Sequence, residues 1–128
     1  MVLDLPWPPS VNSYYRSVPI GRQCRVLISK TGREYRKRVE AACVGVRPIE
    51  GRIDMRITAR PPCRRKRDLD NILKSLLDAM EHAGVYENDN QIDRLLIERA
   101  EPTSGGMVQV SVEEIPVEGL LAVARRVP

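Results

Sequence analysis

The sequence predicts a small α/β domain of α+β-like character, in which helices pack on a mixed β-sheet in the order strand, helix, strand, helix, strand, strand. Three observations predict this class. Apolar and polar residues alternate over residues 53–59, as in a half-buried strand. Apolar side chains then recur between Leu69 and Met80 at helical spacing. Two further runs, 92–99 and 108–113, supply the last two strands, and Val108, Val110 and Val112 form one face of the second.

Length and composition indicate one globular domain. The chain has 128 residues, of which 42% are hydrophobic and 30% are charged. We assign residues 1–115 to the domain and 116–128 to a tail that is either disordered or packed on a partner. No apolar run approaches the roughly 20 residues of a membrane helix, and the N-terminus does not resemble a signal peptide. The three cysteines are far apart, which favours reduced thiols in a cytoplasmic protein and argues against zinc.

The first quarter of the chain combines a strand with irregular structure. Apolar residues at every second position predict a strand over residues 2–7. Three prolines stiffen the segment 6–16, whose polar side chains could reach phosphate or sugar. Residues 17–28 are polar, basic and centred on Gly21, which predicts a mobile basic loop.

Two helices and three strands are expected from there on. Ser29 is a suitable cap for a first helix over residues 30–45, whose basic face could be solvated or could touch DNA. The second helix runs from about Asn71 to Ala83 and ends at Gly84, which suits a left-handed cap. An acidic loop leads from this helix to the final strands, which we expect to form a hairpin through the Gly-rich turn at 102–106.

The most informative stretch is residues 64–74, because four cations lead directly into two carboxylates at the start of the second helix. The cations are Arg64, Arg65, Lys66 and Arg67. The carboxylates, Asp68 and Asp70, would point the same way if the chain is still extended between them. The arrangement suits phosphates on the basic side and a divalent cation on the acidic side. A solvated charge run followed by a helix cap is the alternative.

Two carboxylates seldom hold Mg²⁺ alone, so a third acid is expected. Asp89 is our choice from the acidic loop, with Glu87 and Asp93 as rivals that spacing alone does not exclude. Lys74 lies one helical turn beyond Asp70 and could meet the scissile phosphate.

The distance from Asp70 to Asp89 sets a condition on this site. The second helix carries the chain roughly 20 Å away, at about 1.5 Å per residue. The six residues 84–89 span at most about 21 Å when extended. We therefore expect residues 84–91 to run back along their own helix, although Asp89 could instead reach the site of a second subunit.

Charge and side-chain type favour DNA as the partner. The net charge is +4, and five of the eight residues from Arg60 to Arg67 are basic while none is acidic. Aromatic residues are only 4%, which weakens a model based on stacking of unpaired bases. The remaining candidate DNA contacts are Asn12, Tyr14, Tyr15, Arg16 and Asn71.

These motifs resemble the RusA family of Holliday junction resolvases over roughly residues 3–114. The resemblance rests on three blocks in the family's order: Leu5-Pro6-Trp7-Pro8-Pro9-Ser10 with Asn12 and Tyr14-Tyr15-Arg16, then Arg67-Asp68-Leu69-Asp70-Asn71 with Lys74, then Asp89 with Gln91. It implies that Asp68, Asp70 and Asp89 are the essential metal-binding aspartates and that Lys74 is the family's lysine.

The resemblance also implies an activity and partners. It implies a homodimeric endonuclease of bacterial or phage type that uses Mg²⁺, with Mn²⁺ as a substitute and no small-molecule cofactor. The substrate would be a four-way DNA junction cut by paired nicks, in recombination and repair. A non-catalytic DNA-binding module and a less selective branched-DNA nuclease are the alternatives. The chain departs from the family pattern at residues 17–28 and after residue 115.

Overall fold

The structure, a computed structural model, describes residues 1–116. Its elements, in chain order, are β1 (Val2–Pro6), α1 (Val11–Tyr14), β2 (Tyr15–Ile20), β3 (Gln23–Ile28), α2 (Lys30–Ala42), β4 (Ile53–Arg60), α3 (Asp70–His82), β5 (Ile92–Arg99) and β6 (Met107–Glu114). One turn of 3₁₀ helix, Asp89–Gln91, precedes β5. The predicted tail lies outside the described residues apart from Pro116, and its state stays a prediction.

The main sheet is mixed and has the strand order β1-β6-β4-β5. Strand β4 pairs antiparallel with β6, with Met55 opposite Val112, and parallel with β5, with Ile57 opposite Ile97. Strand β1 adds to the far side of β6 in antiparallel register. The predicted mixed sheet with helices is therefore confirmed.

Strand β4 shows why one face of this sheet is covered. Its burial alternates along all eight residues, so that Ile53, Met55, Ile57 and Ala59 face the core. Both long helices contribute to that core, as expected from their periodicity. The helical core residues are Tyr35, Val39, Ile72, Leu76, Ala79 and Met80.

The helix ends agree closely with the sequence. Ser29 caps α2 by accepting a hydrogen bond from the Gly32 backbone N–H at 3.0 Å. At the end of α3, Gly84 has a φ of +82° and Val85 is fully buried. The Val85 N–H donates to the Met80 carbonyl, which completes the predicted glycine cap.

Residues 17–28 correct one expectation, because they belong to a β-hairpin rather than a loop. Strands β2 and β3 pair from Tyr15 opposite Ile28 to Ile20 opposite Gln23. Gly21 makes the two-residue turn with a φ of +61°, a conformation that favours glycine. Most side chains of both strands are exposed, so the apolar alternation that marks a half-buried strand is missing.

The last two strands correct a second expectation, because they do not pair with each other. Strand β5 lies at one edge of the sheet, and β6 inserts between β1 and β4. The connection between them crosses the end of β4, where the Thr103 N–H donates to the Pro61 carbonyl at 3.0 Å. The turn residues at 102–106 fix a reversal of direction, but they do not fix which strand is the partner.

The parallel unit β4-α3-β5 positions the candidate site. The chain leaves β4, passes through residues 61–69, and returns along α3 to the start of β5. The beginning of α3 therefore lies at the carboxyl end of both parallel strands, where open α/β sheets bind ligands. No helix within residues 1–116 has the length and hydropathy needed to cross a membrane.

Candidate active site

The basic loop before α3 is ordered by its own side chains. The Arg67 guanidinium donates to the carbonyls of Cys63 and Arg65 at 3.1 and 3.2 Å. From the end of β5, Arg99 donates to the Arg67 carbonyl. These bonds hold the predicted phosphate-binding segment at the carboxyl end of β5.

Asp68 and Asp70 are both exposed at the start of α3, but the backbone between them is not extended. Leu69 has φ −62° and ψ −37°, which are helical values, and the Asn71 N–H donates to the Asp68 carbonyl at 3.2 Å. The expectation of an extended junction is therefore wrong, and the alternation of side chains does not apply. Instead, a tight turn brings Asp68 in just before the helix and Asp70 as its first residue.

A cleft of about 460 Å³ lies between this turn and the proline-rich segment. It brings together residues that are some 60 positions apart in the sequence. Its lining residues are Trp7, Pro8, Pro9, Ser10, Arg65, Lys66, Arg67, Asp68, Asn71 and Ile72. The buried Ser75 hydroxyl donates to the Pro9 carbonyl at 2.6 Å and thereby fixes the proline-rich segment on α3.

A second cleft, of about 520 Å³, collects Lys74 with Asn12, Tyr15 and Arg16. The Lys74 ammonium lies 5.6 Å from the centre of the Tyr15 ring, within the range of a cation–π interaction. Burial raises the pKa of Tyr15, and the nearby Asp78 carboxylate raises it further. The Tyr15 hydroxyl is therefore a neutral donor at physiological pH.

Tyr14 does not join this surface, in contrast to the sequence expectation. It is fully buried, and its hydroxyl donates to the Asp78 carboxylate. Arg36 donates to the same hydroxyl at 2.8 Å and pairs with Asp78 at 2.7 Å. Tyr14 thus links α1 to both long helices, and it has no exposed surface that could contact DNA.

Arg64 is turned toward the sheet rather than the first cleft. It pairs with Glu101 at 2.6 Å, and both side chains are largely exposed. An exposed pair of this kind is worth little. Arg64 can therefore exchange Glu101 for a phosphate at small cost.

Asp89 lies at the opposite end of α3 from Asp70. Its backbone N–H donates to the Glu81 carboxylate at 2.8 Å, one residue before the end of the helix. The preceding Tyr86 is buried and donates to the Leu77 carbonyl at 2.6 Å, so the chain does not run back to the start of α3. The expected return of Asp89 along its own helix is therefore wrong.

Within residues 1–116 no group of three His, Cys, Asp or Glu side chains is close enough to hold a metal ion. A single chain therefore does not assemble the predicted three-aspartate site. The donor chemistry still fits Mg²⁺, because Asp68 and Asp70 are exposed carboxylates and hard oxygens are its preferred ligands. Within residues 1–116 these two carboxylates have no third ligand near them.

Sequence reasoning missed two features of the basic loop. Arg99 appeared to be an ordinary strand residue, and no local pattern connects it to Arg67, 32 positions away. Cys63 lies exposed beside the cations, and the Arg65 backbone N–H and the Arg67 guanidinium lower the pKa of its thiol. The basic residues around Cys63 were visible in the sequence, but the turn that aims them at the sulfur was not.

A basic loop that leads into two exposed carboxylates, with a cleft on each side, is an arrangement that suits a nuclease acting on DNA. Residues 6–113 match the family model described as Endodeoxyribonuclease RusA. The chain belongs to the RusA family of endodeoxyribonucleases, as the resemblance of its motifs implied.

Individual relatives support the same assignment. The protein named Crossover junction endodeoxyribonuclease rusA of Enterobacteria phage HK97 is 37% identical over 114 residues, which cover 87% of this chain and 92% of that protein. The protein of the same name from Enterobacteria phage 82 is 34% identical over 116 residues, covering 88% and 93%. The one from Escherichia coli K12 is 33% identical over 116 residues, with the same coverage.

Proposed function

We propose that this protein is a Mg²⁺-dependent endonuclease that resolves four-way DNA junctions by paired nicks, in DNA recombination and repair. The observation that carries the proposal is the ordered basic loop that delivers Asp68 and Asp70 to one end of the sheet. The relatives named crossover junction endodeoxyribonuclease support a junction as the substrate. A cytoplasmic location stays a prediction.

The two clefts give the DNA-binding residues separate tasks. Arg65, Lys66 and Arg67 face the first cleft, where they would neutralise backbone phosphates. The second cleft is lined by Asn12, Tyr15 and Arg16. These side chains would hydrogen-bond the DNA backbone on the other side of the first turn of α3. A DNA strand that runs from one cleft to the other would pass over Asp70 and Lys74.

Asp68, Asp70 and Asp89 would hold the metal. When bound, Mg²⁺ supplies a nucleophilic water at neutral pH and neutralises charge on the phosphate oxygens. Lys74 places a cation one turn into α3, where it would stabilise negative charge that develops on the scissile phosphate. Asn71 and Arg67 would position the strand beside the carboxylates.

Because Asp89 lies at the far end of α3, we place it in the site of a second subunit. Each active site of the homodimer would then combine Asp68 and Asp70 of one chain with Asp89 of the other. A two-fold axis also suits a substrate with near two-fold symmetry, since it directs one site to each of two opposed strands.

The test compares a synthetic four-way junction with linear duplex and with a three-way branch, each with and without Mg²⁺. We expect paired nicks in the junction that require the metal. The Asp70→Asn variant should lose cleavage and keep junction binding, because the carboxylate serves the metal rather than the phosphate. Equal cutting of the three-way branch would favour a less selective nuclease, and normal nicking by Asp70→Asn would refute the metal site.

A further inference from the structure

The β2–β3 hairpin projects from the domain and is fixed at its base. Strands β2 and β3 form a two-stranded sheet of their own, separate from the main sheet. At the base, the Ser29 N–H donates to the Tyr14 carbonyl at 2.9 Å, and the Tyr15 ring packs edge-on against the Tyr14 ring with centroids 4.8 Å apart. The Arg33 guanidinium also donates to the Ile28 carbonyl at 2.9 Å. The hairpin is therefore an arm whose direction is set by the domain.

Outside this base, the hairpin is exposed on both faces. Every residue from 16 to 27 except Val18 is exposed. The exposed residues include Ile20, Val26 and Leu27, whose exposed fractions are 51%, 66% and 42%. A two-stranded hairpin with no covered face is only marginally stable in water, and exposed apolar side chains grouped on one element mark an interaction surface. The hairpin therefore has the character of a binding element.

The charge of the hairpin indicates a polyanion as its partner. It carries Arg16, Arg22 and Arg25, and the sequence contains no acidic residue between Asp4 and Glu34. Exposed arginines without neighbouring carboxylates attract phosphate groups. Because Arg16 also lines the second cleft, the hairpin is continuous with the proposed DNA-binding surface. DNA is therefore the partner that the hairpin fits.

The two faces of the hairpin differ in chemistry. Ser17 lies opposite Val26 in the ladder, and both line the second cleft together with Lys74. Gln23 and Arg25 lie on the other face, because successive residues of a strand point to opposite faces. We call the first the cleft face and the second the reverse face. The long polar side chains of Gln23 and Arg25 thus lie on the side that the second cleft does not use.

One DNA strand in the second cleft does not reach both faces. A strand that passes Lys74 lies against the cleft face, whereas Gln23 and Arg25 lie behind it. Glutamine and arginine side chains hydrogen-bond phosphates and base edges. A second DNA segment on the far side of the hairpin would contact them. Two duplex arms that diverge from a branch point provide this arrangement, and a linear duplex does not.

We propose that the β2–β3 hairpin is a wedge that lies between two arms of branched DNA and selects branched DNA over linear duplex. This proposal rests on the proposed function for the strand in the second cleft. From Tyr15 to Ile20 the hairpin extends about 17 Å, at about 3.3 Å per residue. That length matches about five nucleotides of one DNA strand, at about 3.4 Å each.

The tip of the hairpin suits the branch point itself. Pro19 and Ile20 are exposed there, next to the turn at Gly21. Apolar side chains inserted between base steps partly unstack them, and the cost of unstacking is a few kcal/mol per step in an intact duplex. Base pairs at a branch point lack one continuous stacking neighbour, so the tip meets less resistance there.

The main test shortens the hairpin and keeps the second cleft. The dipeptide Asn-Gly replaces residues 18–25, so that Ser17 and Val26 flank a two-residue turn. Fluorescence anisotropy without Mg²⁺ measures the dissociation constants for an immobile four-way junction and for a linear duplex with the sequence of two of its arms. We expect the preference for the junction to fall about tenfold, which corresponds to about 1.4 kcal/mol. An unchanged preference would overturn the wedge.

Point variants test the reverse face. The double variant Gln23→Ala and Arg25→Ala should weaken binding to the junction and leave binding to the linear duplex unchanged. Arg47→Ala is the matched control, since Arg47 is an exposed cation outside the hairpin and the second cleft, and it should change neither constant. Equal weakening on both DNAs would show that Arg25 acts as an ordinary surface cation and would overturn the wedge.

A fluorescent base tests the position of the tip. 2-Aminopurine placed at the branch point becomes brighter when it is unstacked, so binding of the wild type should raise its emission. Ile20→Ser should reduce this rise. Val44→Ser is the control, because Val44 is 83% exposed and lies after α2. An equal rise with Ile20→Ser would refute insertion of the tip at the branch point.

The wedge and the proposed function fail separately. Urea unfolding identifies a shortened hairpin that does not fold, and the point variants at exposed positions then carry the test. A wild type that nicks junctions, with an unchanged junction preference in the variants, would refute the wedge and leave the nuclease standing. A wild type that cleaves nothing, with a junction preference that is lost when the hairpin is shortened, would refute the nuclease and support the wedge.

Discussion

Asp70 and Asp89 lie at opposite ends of helix α3. Asp70 is its first residue, whereas the Asp89 N–H is bound by Glu81, eleven positions further along the helix. That separation is about 16 Å at 1.5 Å per residue. Strand β5 separates the two aspartates as well. Its last residue contacts Arg67, close to Asp68 and Asp70, whereas its first residue follows Asp89. Asp70 and Asp89 of one chain therefore do not lie together at one site, and the proposed site takes them from different subunits.

Mixed dimers test this arrangement directly. In a heterodimer of one Asp70→Asn chain and one Asp89→Asn chain, one site loses both aspartates and the other keeps both. We expect nicking of a single strand at about half the wild-type rate, measured on a junction with one labelled strand at a time. Both homodimers should be inactive.

The control is a heterodimer of Asp70→Asn with a chain that carries both substitutions. Neither of its sites keeps Asp70 together with Asp89, so it should not cut. If the first heterodimer is as inactive as this control, Asp89 acts within its own chain and the shared site is wrong.

The basic loop should determine the salt dependence of DNA binding. Arg65 and Lys66 line the first cleft, and replacing both with Ala should reduce the slope of log affinity against log salt by about 0.9 for each lost phosphate contact. Fluorescence anisotropy of a labelled junction between low and physiological salt measures this slope. Arg47→Ala, an exposed cation outside both clefts, should leave it unchanged. An unchanged slope in the double variant would show that the loop is a solvated charge run that does not contact phosphates.

Tyr14→Phe should destabilise the fold without affecting DNA binding. The substitution removes the hydroxyl that joins Asp78 and Arg36, and we expect the free energy of unfolding to fall by about 1–2 kcal/mol. Urea unfolding measures the loss. Tyr15→Phe is the matched control, because the Tyr15 hydroxyl makes no hydrogen bond within residues 1–116. Weaker junction binding by Tyr14→Phe at unchanged stability would show that Tyr14 contacts DNA after all.

Gly32→Ala should be destabilising although it lies within a helix. Helix propensity alone favours Ala over Gly by about 1 kcal/mol. A Cβ at Gly32, however, would clash with the Tyr14 carbonyl oxygen and would approach Ile28 Cγ2 to 2.7 Å. The clash involves backbone, so we expect a net loss of about 1–3 kcal/mol in urea unfolding. Thr31→Ala, at the exposed neighbouring position, should change stability by less than about 0.5 kcal/mol.

The helices and strands that bury one face could be predicted because their apolar residues recur at the period of a helix or a strand. The alternation in β4 and the leucine spacing in α3 both follow from contact with a single core. The hairpin of β2 and β3 left no such signal, since its side chains are exposed on both strands. The residue types of the candidate site could be predicted from the sequence. Which of these side chains are exposed could not, because Tyr14 was expected to contact DNA and is fully buried.

The sequence by itself determined the two long helices and the four strands of the main sheet, where α3 starts and stops, and that cations precede two carboxylates. Spacing between near neighbours carries all of this information. Only the tertiary structure decided that β6 lies between β1 and β4, that Arg99 reaches Arg67, and that Asp89 ends up far from Asp70. These relationships join residues that are distant along the chain. They depend on which strand edges and helix faces bury the most apolar surface together, and local spacing does not record that choice.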